Sequence, residues 1–308
     1  MKNTRIGFIG LGNMGYHMAT HLANNEHSLV IYDVRREVLD SFEQDVQAED
    51  ILKAHSPQEV ADEAEIILAS LPTPQVVREV VLGERGVIHG KKVKTYIDLS
   101  TSGQKVTSEV GLALQGRGIT MLDSPVSGGV PGAQKGSLSL MVAGSREAYE
   151  RSLTLLEHIG KKIFYVGDEV GQAQVIKVIN NLLSSAALAI TSEAMVLGVK
   201  AGLDPNIMID ILNASSGRNS ATEDKFKKSI INRRFDYGFK TDLAYKDIKF
   251  CLDLADDLEV PMWLGSQVEH FWRFAMSQGA KNQDYTTIIR YFEQWAGVQV
   301  GNEIDQKS

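Results

Sequence analysis

Arg5-Ile6-Gly7-Phe8-Ile9-Gly10-Leu11-Gly12-Asn13-Met14-Gly15 is the stretch that decides the fold. A short apolar run reads as a buried strand, breaks into a glycine turn and opens an amphipathic segment. Gly10 permits the tight turn, Gly12 lets backbone approach a pyrophosphate, and Gly15 allows a helix to pack closely on the strand. The helix that starts there presents unpaired N–H groups and the positive end of its dipole to phosphate. A second strand, LVIY, runs into Asp33, whose carboxylate suits ribose hydroxyls and repels a 2′-phosphate. A lone GxGxxG says little. With strand, helix and acidic residue all in place, it predicts a dinucleotide site that takes NAD in preference to NADP. Arg35 and Arg36 keep NADP possible, since arginine accommodates a 2′-phosphate, but they read first as a solvated pair in a loop.

Outward from this motif, IGFIG, LVIYD, IILASLP, TYIDLS, TMLDSPV, LSLMVAG and IFYVGD read as strands, and most are separated by helical spacing. That alternation implies a mostly parallel sheet covered by helices, with antiparallel pairs possible among the later strands at its edge. From Gly171 the texture becomes helical, over 171–201, 205–214, 220–231, 239–258, 262–279 and 284–296. Asp204-Pro205 is a helix restart, with Asp204 at N-cap and proline at N1. The expected organisation is α/β: a Rossmann domain over 1–166, joined by a long helix to an all-α domain over 167–296, then a polar, frayed tail over 297–308.

Composition narrows the function. A chain of 308 residues with 43% hydrophobic and 23% charged residues is expected to fold as a soluble globular protein of one large or two ordinary domains. A net charge of -7 argues against a dedicated partner of nucleic acid or anionic membrane. The one cysteine, Cys251, allows no disulfide framework and fits a reducing cytoplasm. No signal segment is read ahead of the first strand, and Glu193 in the middle of the apolar stretch 182–199 favours a buried helix over a membrane span. No histidine or carboxylate spacing suggests a metal.

In VIKVINNLLSSAALA, helical geometry puts Lys177, Asn180, Asn181, Ser184 and Ser185 on one face of an otherwise apolar helix. A lysine there loses water, which disfavours its charged form and moves it toward a usable acid/base. Ser127-Gly128-Gly129, just after a strand, offers consecutive unobstructed N–H groups and a hydroxyl, a nest suited to a carboxylate. Taken alone, that segment reads first as an ordinary Gly/Pro turn.

GFIGLGNMG at 7–15, DSPVSGG at 123–129, GQAQVIKVINN at 171–181 and YKDIKFCLDLA at 245–255 together resemble the β-hydroxyacid dehydrogenase family. The resemblance runs from about Arg5 to Gln294 and includes the 3-hydroxyisobutyrate, 2-hydroxymethylglutarate and tartronate semialdehyde branches. It implies an NAD(P)-dependent oxidoreductase acting on a small carboxylate substrate, assembled as a homodimer or homotetramer. Gly10, Leu11, Gly12, Asn13 and Met14 would follow the pyrophosphate and Asp33 the ribose. Leu71 and Pro72 would line the adenosine, and Thr101 would lie near the nicotinamide ribose. Ser127, Gly128 and Gly129 would hold the carboxylate, with Lys177 as general acid/base, Asn181 orienting the substrate and Lys246 closing over the nicotinamide. Arg218 and Asn219, in a stretch resembling the hydroxyisobutyrate and hydroxymethylglutarate branches, would carry selectivity. Where the family commonly has a stretch ending in proline after Ser100-Thr101, this chain has Ser102-Gly103-Gln104. Reduction of tartronic or succinic semialdehyde would use the same residues in reverse. A non-catalytic NAD(P)-binding scaffold is the alternative from another class, disfavoured because Lys177 and Asn181 are both present.

Overall fold

The computed structural model describes residues 5–25, 27–46 and 50–302. The expectations for the first four residues and for the end of the tail, 303–308, lie outside the described residues. Two compact units emerge, Met1–Lys177 and Val178–Ser308.

The first unit is built on one sheet of β1 (Ile6–Ile9), β2 (Leu29–Tyr32), β3 (Ile51–Lys53), β4 (Ile66–Ala69), β5 (Thr95–Asp98), β6 (Thr120–Asp123), β7 (Val126–Ser127), β8 (Leu138–Ala143) and β9 (Gly160–Gly167). Their order is β3-β2-β1-β4-β5-β6-β8-β7, with β9 paired to β8. Strands β1 to β6 pair in parallel, β8 runs antiparallel to β6 and β7, and β9 is parallel to β8. Connections are carried by α1 (Gly15–Asn24), α2 (Arg36–Asp45), α3 (Pro57–Glu63), α4 (Pro74–Leu82), α5 (Gln104–Gln115), α6 (Gly129–Gln134) and α7 (Arg146–Glu157). Phe8, Ile31, Leu68, Ile97 and Leu122 join the core on one face of the sheet, while Ile9, Val30, Ile67, Tyr96 and Met121 join the core on the other. Burial on both faces is why these strands read as continuous apolar runs rather than as alternating ones. Strands β3 and β7 escaped the sequence reading because three and two residues are too short to show a period.

Beyond Lys177 the chain is helical, as expected. α8 (Gln172–Lys200) is followed by α9 (Pro205–Asn213), a π-helix over Ala221–Ile230, α10 (Thr241–Asp257), α11 (Trp263–Ser277), a 3₁₀ turn over Tyr285–Ile288 and α12 (Ile289–Ala296). Asp204 does cap α9, accepting from the N–H groups of Asn206 and Ile207 at 2.9 and 3.0 Å. The segment expected as an ordinary helix over 220–231 is wider: Ile231 N–H donates five residues back to Phe226 O at 2.9 Å. Trp272, Phe226, Ile248, Met195 and Ile288 pack into the core of this unit. By length and composition alone α8 would pass for a membrane span, yet half of its most apolar window is packed inside the protein.

The tail departs from expectation up to Asn302. Val300 is buried, its N–H donates to Glu293 Oε1 at 2.8 Å, and its carbonyl accepts from the Arg233 guanidinium at 3.2 Å. Asn302 N–H donates to Ile231 O at 3.1 Å. Two valines in a polar run are enough to dock it, and a fraying tail is replaced by a seated one.

α8 starts where it does because of Asp123, the last residue of β6. Its Oδ2 accepts from the main-chain N–H groups of Gly171 and Gln174, each at 3.1 Å, and its Oδ1 from the Gln174 side-chain amide at 2.7 Å. A carboxylate thus caps the helix and satisfies donors that otherwise have no partner. Burial pushes the Asp123 carboxyl up from 3.8 to about 7; the hydrogen bonds oppose this and the nearby Asp98 adds to it. The folded protein therefore holds a proton that the unfolded chain releases. The resulting stability is fully present below about pH 4 and is lost as pH rises through about 7. Thermal midpoints from pH 4 to 8 are expected to fall with pH more steeply in the wild type than in Asp123→Asn, and parallel curves would refute this titration.

Candidate active site

The turn after β1 is shaped by contacts that exclude side chains. Gly10 has φ +92°, and a Cβ there would lie 2.3 Å from Ser70 O; a Cβ on Gly15 would lie 1.9 Å from Gly10 O. Around Gly12 a Cβ would meet nothing within 4 Å. No side chain caps the first turn of α1, as is also the case for α2, α5, α6, α10, α11 and α12. An open cradle at Gly12 and an uncapped helix N-terminus fit a pyrophosphate laid along Gly10 to Met14. A cavity of about 310 Å³ continues from Leu11, Gly12 and Asn13 past Tyr16 and His17 to Arg35 and Ser41.

Asp33, just after β2, holds two residues that line that cavity, Leu11 and Arg35. Leu11 N–H donates to its Oδ2 at 2.8 Å, and Arg35 donates to Oδ1 through its backbone N–H at 2.9 Å and its Nε at 3.0 Å. Burial by itself would push this carboxyl up. Hydrogen bonds from the Arg35 side chain and backbone and from Leu11, with the Arg35 charge, outweigh it and hold Asp33 below its ordinary value. Both arginines are exposed, as expected of a solvated pair, but each also has a partner. Arg35 folds back onto Asp33, and Arg36 reaches His55.

At the ends of β4 and β5, Leu71 N–H donates to Ser100 Oγ at 2.9 Å, and Pro72 lies exposed beyond it. Thr101 is half-buried between Ser100 and Ser102. The unusual Ser102-Gly103 has a local reason. Gly103 has φ +75°, a conformation that favours glycine, and the N–H groups of Ser102 and Gly103 both point to Gln174 Oε1, at 2.9 and 3.2 Å.

Ser127 ends β7, where it pairs with Ser139 of β8, and Gly128 and Gly129 then turn the chain with φ +130° and +61° into α6. Both values lie where glycine is favoured, so the turn depends on residues without a Cβ. Lys177 is buried, on the second turn of α8. Asp123, Gln174 and Lys177 all belong to the first unit, and so does the Ser127–Gly129 loop.

In the helical unit Asn181 Nδ2 donates to Asp247 Oδ2 at 2.6 Å, and Lys246 Nζ lies 3.4 Å from Asp247 Oδ1 and 5.3 Å from the Phe250 ring. Arg218 and Asn219 have other partners. Arg218 pairs on the surface with Glu223 at 3.5 Å. Asn219 turns inward as a cap, its Oδ1 accepting from Ala221 N–H at 2.8 Å and Thr222 N–H at 3.2 Å, and its amide donating to Gly217 O at 3.1 Å. A larger cavity in this unit, about 680 Å³ between Asp204, Asp210, Lys227 and Asn302, holds none of the motif residues.

Gln174, Asp98, Ser100 and Asp247 carried no role in the sequence reading. Their only local signal was polarity inside apolar runs: Asp98 and Asp123 each end a strand, and Gln174 lies on the buried face that also holds Lys177.

Residues 5–167 match the NAD binding domain of 6-phosphogluconate dehydrogenase, and residues 171–292 match the NAD-binding region of NADP-dependent 3-hydroxyisobutyrate dehydrogenase. The chain is 35% identical to 2-(hydroxymethyl)glutarate dehydrogenase of Eubacterium barkeri, over 97% of this chain and 98% of that one. It is 36% identical to mitochondrial 3-hydroxyisobutyrate dehydrogenase of Mus musculus, over 95% and 88%. The solved Mycobacterium tuberculosis 3-hydroxyisobutyrate dehydrogenase with L-serine superposes with a TM-score of 0.84 at 28% identity, covering 94% of this chain and 98% of that one. An open phosphate cradle, a strand-end acid and a buried lysine on the helix after the sheet thus coincide with similarity along the whole chain: it belongs to the β-hydroxyacid dehydrogenase family of NAD(P)-dependent oxidoreductases.

Proposed function

We propose that the protein reversibly oxidises the anion of a small 3-hydroxy acid to its semialdehyde, with NAD preferred over NADP. The observation that carries this reading is a buried lysine on the helix capped by Asp123, the residue that also leads into the Ser127–Gly129 loop. The relatives' names support the substrate class. 3-Hydroxyisobutyrate, 2-(hydroxymethyl)glutarate and the L-serine held by the Mycobacterium tuberculosis protein share a carboxylate, one intervening carbon and a CH₂OH group. They differ in the substituent on the middle carbon.

The N–H groups of Gly128 and Gly129 and the Ser127 hydroxyl bind the carboxylate and fix where the carbinol carbon lies. Gly10 to Met14 and Asp33 hold the dinucleotide, with Leu71, Pro72 and Thr101 along its length; when bound it supplies the two-electron acceptor. Lys177, as the amine, takes the hydroxyl proton during oxidation and returns it during reduction. Asn181, one helical turn on, donates to the same oxygen as charge develops there. Semialdehyde reduction is this chemistry in reverse and needs no other residue.

Cys251 is buried and is the one cysteine, in keeping with a reducing compartment, and we assign the protein to the cytoplasm. Leu183, Ile190 and Leu197 recur every seven residues along α8 and are 64, 61 and 70% exposed, which supports a homodimer or homotetramer.

Lys177→Ala is expected to lower turnover by a thousandfold or so while NADH binding, followed by fluorescence, stays near wild type. Undiminished turnover would remove Lys177 from the mechanism. Activity is to be measured on 3-hydroxyisobutyrate, 2-hydroxymethylglutarate, 4-hydroxybutyrate and glycerate, each with NAD and NADP; no turnover of any 3-hydroxy acid would sink the proposal. Asp33→Ala is expected to raise the KM for NAD by about tenfold, the worth of hydrogen bonds to a charged acceptor, and that for NADP much less. Equal effects on both cofactors would show that Asp33 does not select between them.

A further inference from the structure

We propose that Asp123 and Gln174 act together as a positioning pair that keeps Lys177 in register with the loop receiving the substrate carboxylate. The proposal rests on Lys177 as acid/base and on Ser127–Gly129 as anchor. Neither Asp123 nor Gln174 is assigned to touch a reacting atom.

The geometry leaves little slack on either side of the pair. From Asp123 the chain reaches Ser127 through Ser124, Pro125 and Val126, and Val126 and Ser127 are pinned to Leu140 and Ser139 of β8. From Gln174 the helix reaches Lys177 in less than one turn. Between these two short arms stand three hydrogen bonds, from Gly171 N–H, Gln174 N–H and the Gln174 amide, all onto one carboxylate. A shift of α8 along its axis would have to break all three.

Gln174 ties in a third element. Its Nε2 donates to Ser100 O at 3.0 Å as well as to Asp123 Oδ1, and its Oε1 accepts from the N–H groups of Ser102 and Gly103. Two donors and two lone pairs are all the amide has, and all four are used. The segment so held contains Thr101, and Asp98 braces it from below, accepting from Ser100 N–H at 3.0 Å and from Ser102 Oγ at 3.1 Å. The ends of β5 and β6 and the start of α8 therefore meet at one side chain that is itself fully buried. Asp98 and Asp123 are direct neighbours in the parallel register of β5 and β6, so the two carboxylates lie side by side. Gln174 meets Asp123 with neutral N–H groups, which lets it grip without adding a cation beside Lys177.

The test compares Gln174→Leu, Asp123→Asn and the reciprocal pair Asp123→Asn with Gln174→Glu, assayed at about pH 8.5 and normalised to NADH-binding sites. In the reciprocal pair the new asparagine amide donates to the new glutamate and the asparagine oxygen still accepts from Gly171 and residue 174, while the bond to Ser100 O gives way to two facing oxygens, so rescue is partial. Each single variant is expected to lose about ten- to a hundredfold in kcat, with substrate KM within about threefold, because misplacement acts on the chemical step while the carboxylate loop stays intact. The reciprocal pair is expected to regain at least about tenfold over the weaker single variant. Should Gln174→Leu not fold, Gln174→Glu alone, which keeps the shape and both acceptor bonds, gives the same reading. Single variants that keep kcat within about twofold per binding site, whatever their thermal midpoint, would make the residues merely structural and overturn the proposal. A reciprocal pair no better than either single variant would overturn their acting together. Lys177→Ala in the same assay separates the two ideas: if it turns over, the acid/base assignment has failed, and if it is dead while Gln174→Leu is normal, only the positioning pair has.

Discussion

A carboxylate shut away from water must find hydrogen-bond donors nearby, and the Asp123 carboxylate finds them where α8 starts, on Gly171 just ahead of the helix and on Gln174 in its first turn. Taking an ionised group out of water costs several kcal/mol even after relaxation, so those donors are obligatory rather than helpful. Because two of the three are main-chain N–H groups, the demand falls on the course of the backbone. It decides where the long helix begins and, through its rise and rotation, where Lys177 points. The boundary between the compact units follows from the same demand. The strand signal stops near residue 166, but the first unit extends to Lys177, because the opening of α8 is bound to the end of β6.

Asp33 and Asp123 show how one residue type takes two electrostatic roles on one sheet. Each lies at the carboxyl end of a parallel strand and each accepts main-chain N–H groups. Asp33 has a guanidinium against it and is held low. Asp123 is shut away from water, with another carboxylate as its neighbour in register and only neutral donors, and burial above all pushes it up to about 7. The first is suited to meet a ligand. The second is suited to hold protein to protein. The Asp33–Arg35 pair also means that any further donor reaching Asp33 must compete with a half-exposed arginine for the same oxygens.

Features written over consecutive residues were readable in the chain. The glycine turn, the Asp204 cap and the face shared by Lys177 and Asn181 depend on spacing within one element, which sequence reports directly. Features that depend on which way a side chain turns were not. Asn219 reads as a residue carrying selectivity, whereas in the structure its oxygen caps the turn that follows it. Arg35 reads as solvated and is exposed, yet it also pairs with Asp33, two residues away. Gln174 is invisible for a related reason: its four partners come from Ser100, Ser102, Gly103 and Asp123, far off in the chain, and nothing local marks a glutamine as a junction. Strands of two or three residues and a helix with an i−5 bond carry no period of their own to detect.

Asn181 illustrates how a neighbouring charge turns an ambiguous side chain into a committed one. An amide has one face that accepts and one that donates, and density-like arguments from sequence cannot say which is presented. Here Asp247, buried on α10, takes one Nδ2 hydrogen at 2.6 Å, a short charge-assisted bond. Flipping the amide would set its oxygen against that carboxylate, and the arrangement is therefore locked. Asn180 donates to the Asn181 oxygen at 3.1 Å, so of the four hydrogen-bonding positions on this amide one donor and one acceptor are taken from within the helical unit. An aspartate at 181 would place like charge beside Asp247 and lose the donor together. The asparagine is thus fixed chemically from the helical unit, as the start of α8 is fixed from the sheet, each by a buried carboxylate that has to be answered.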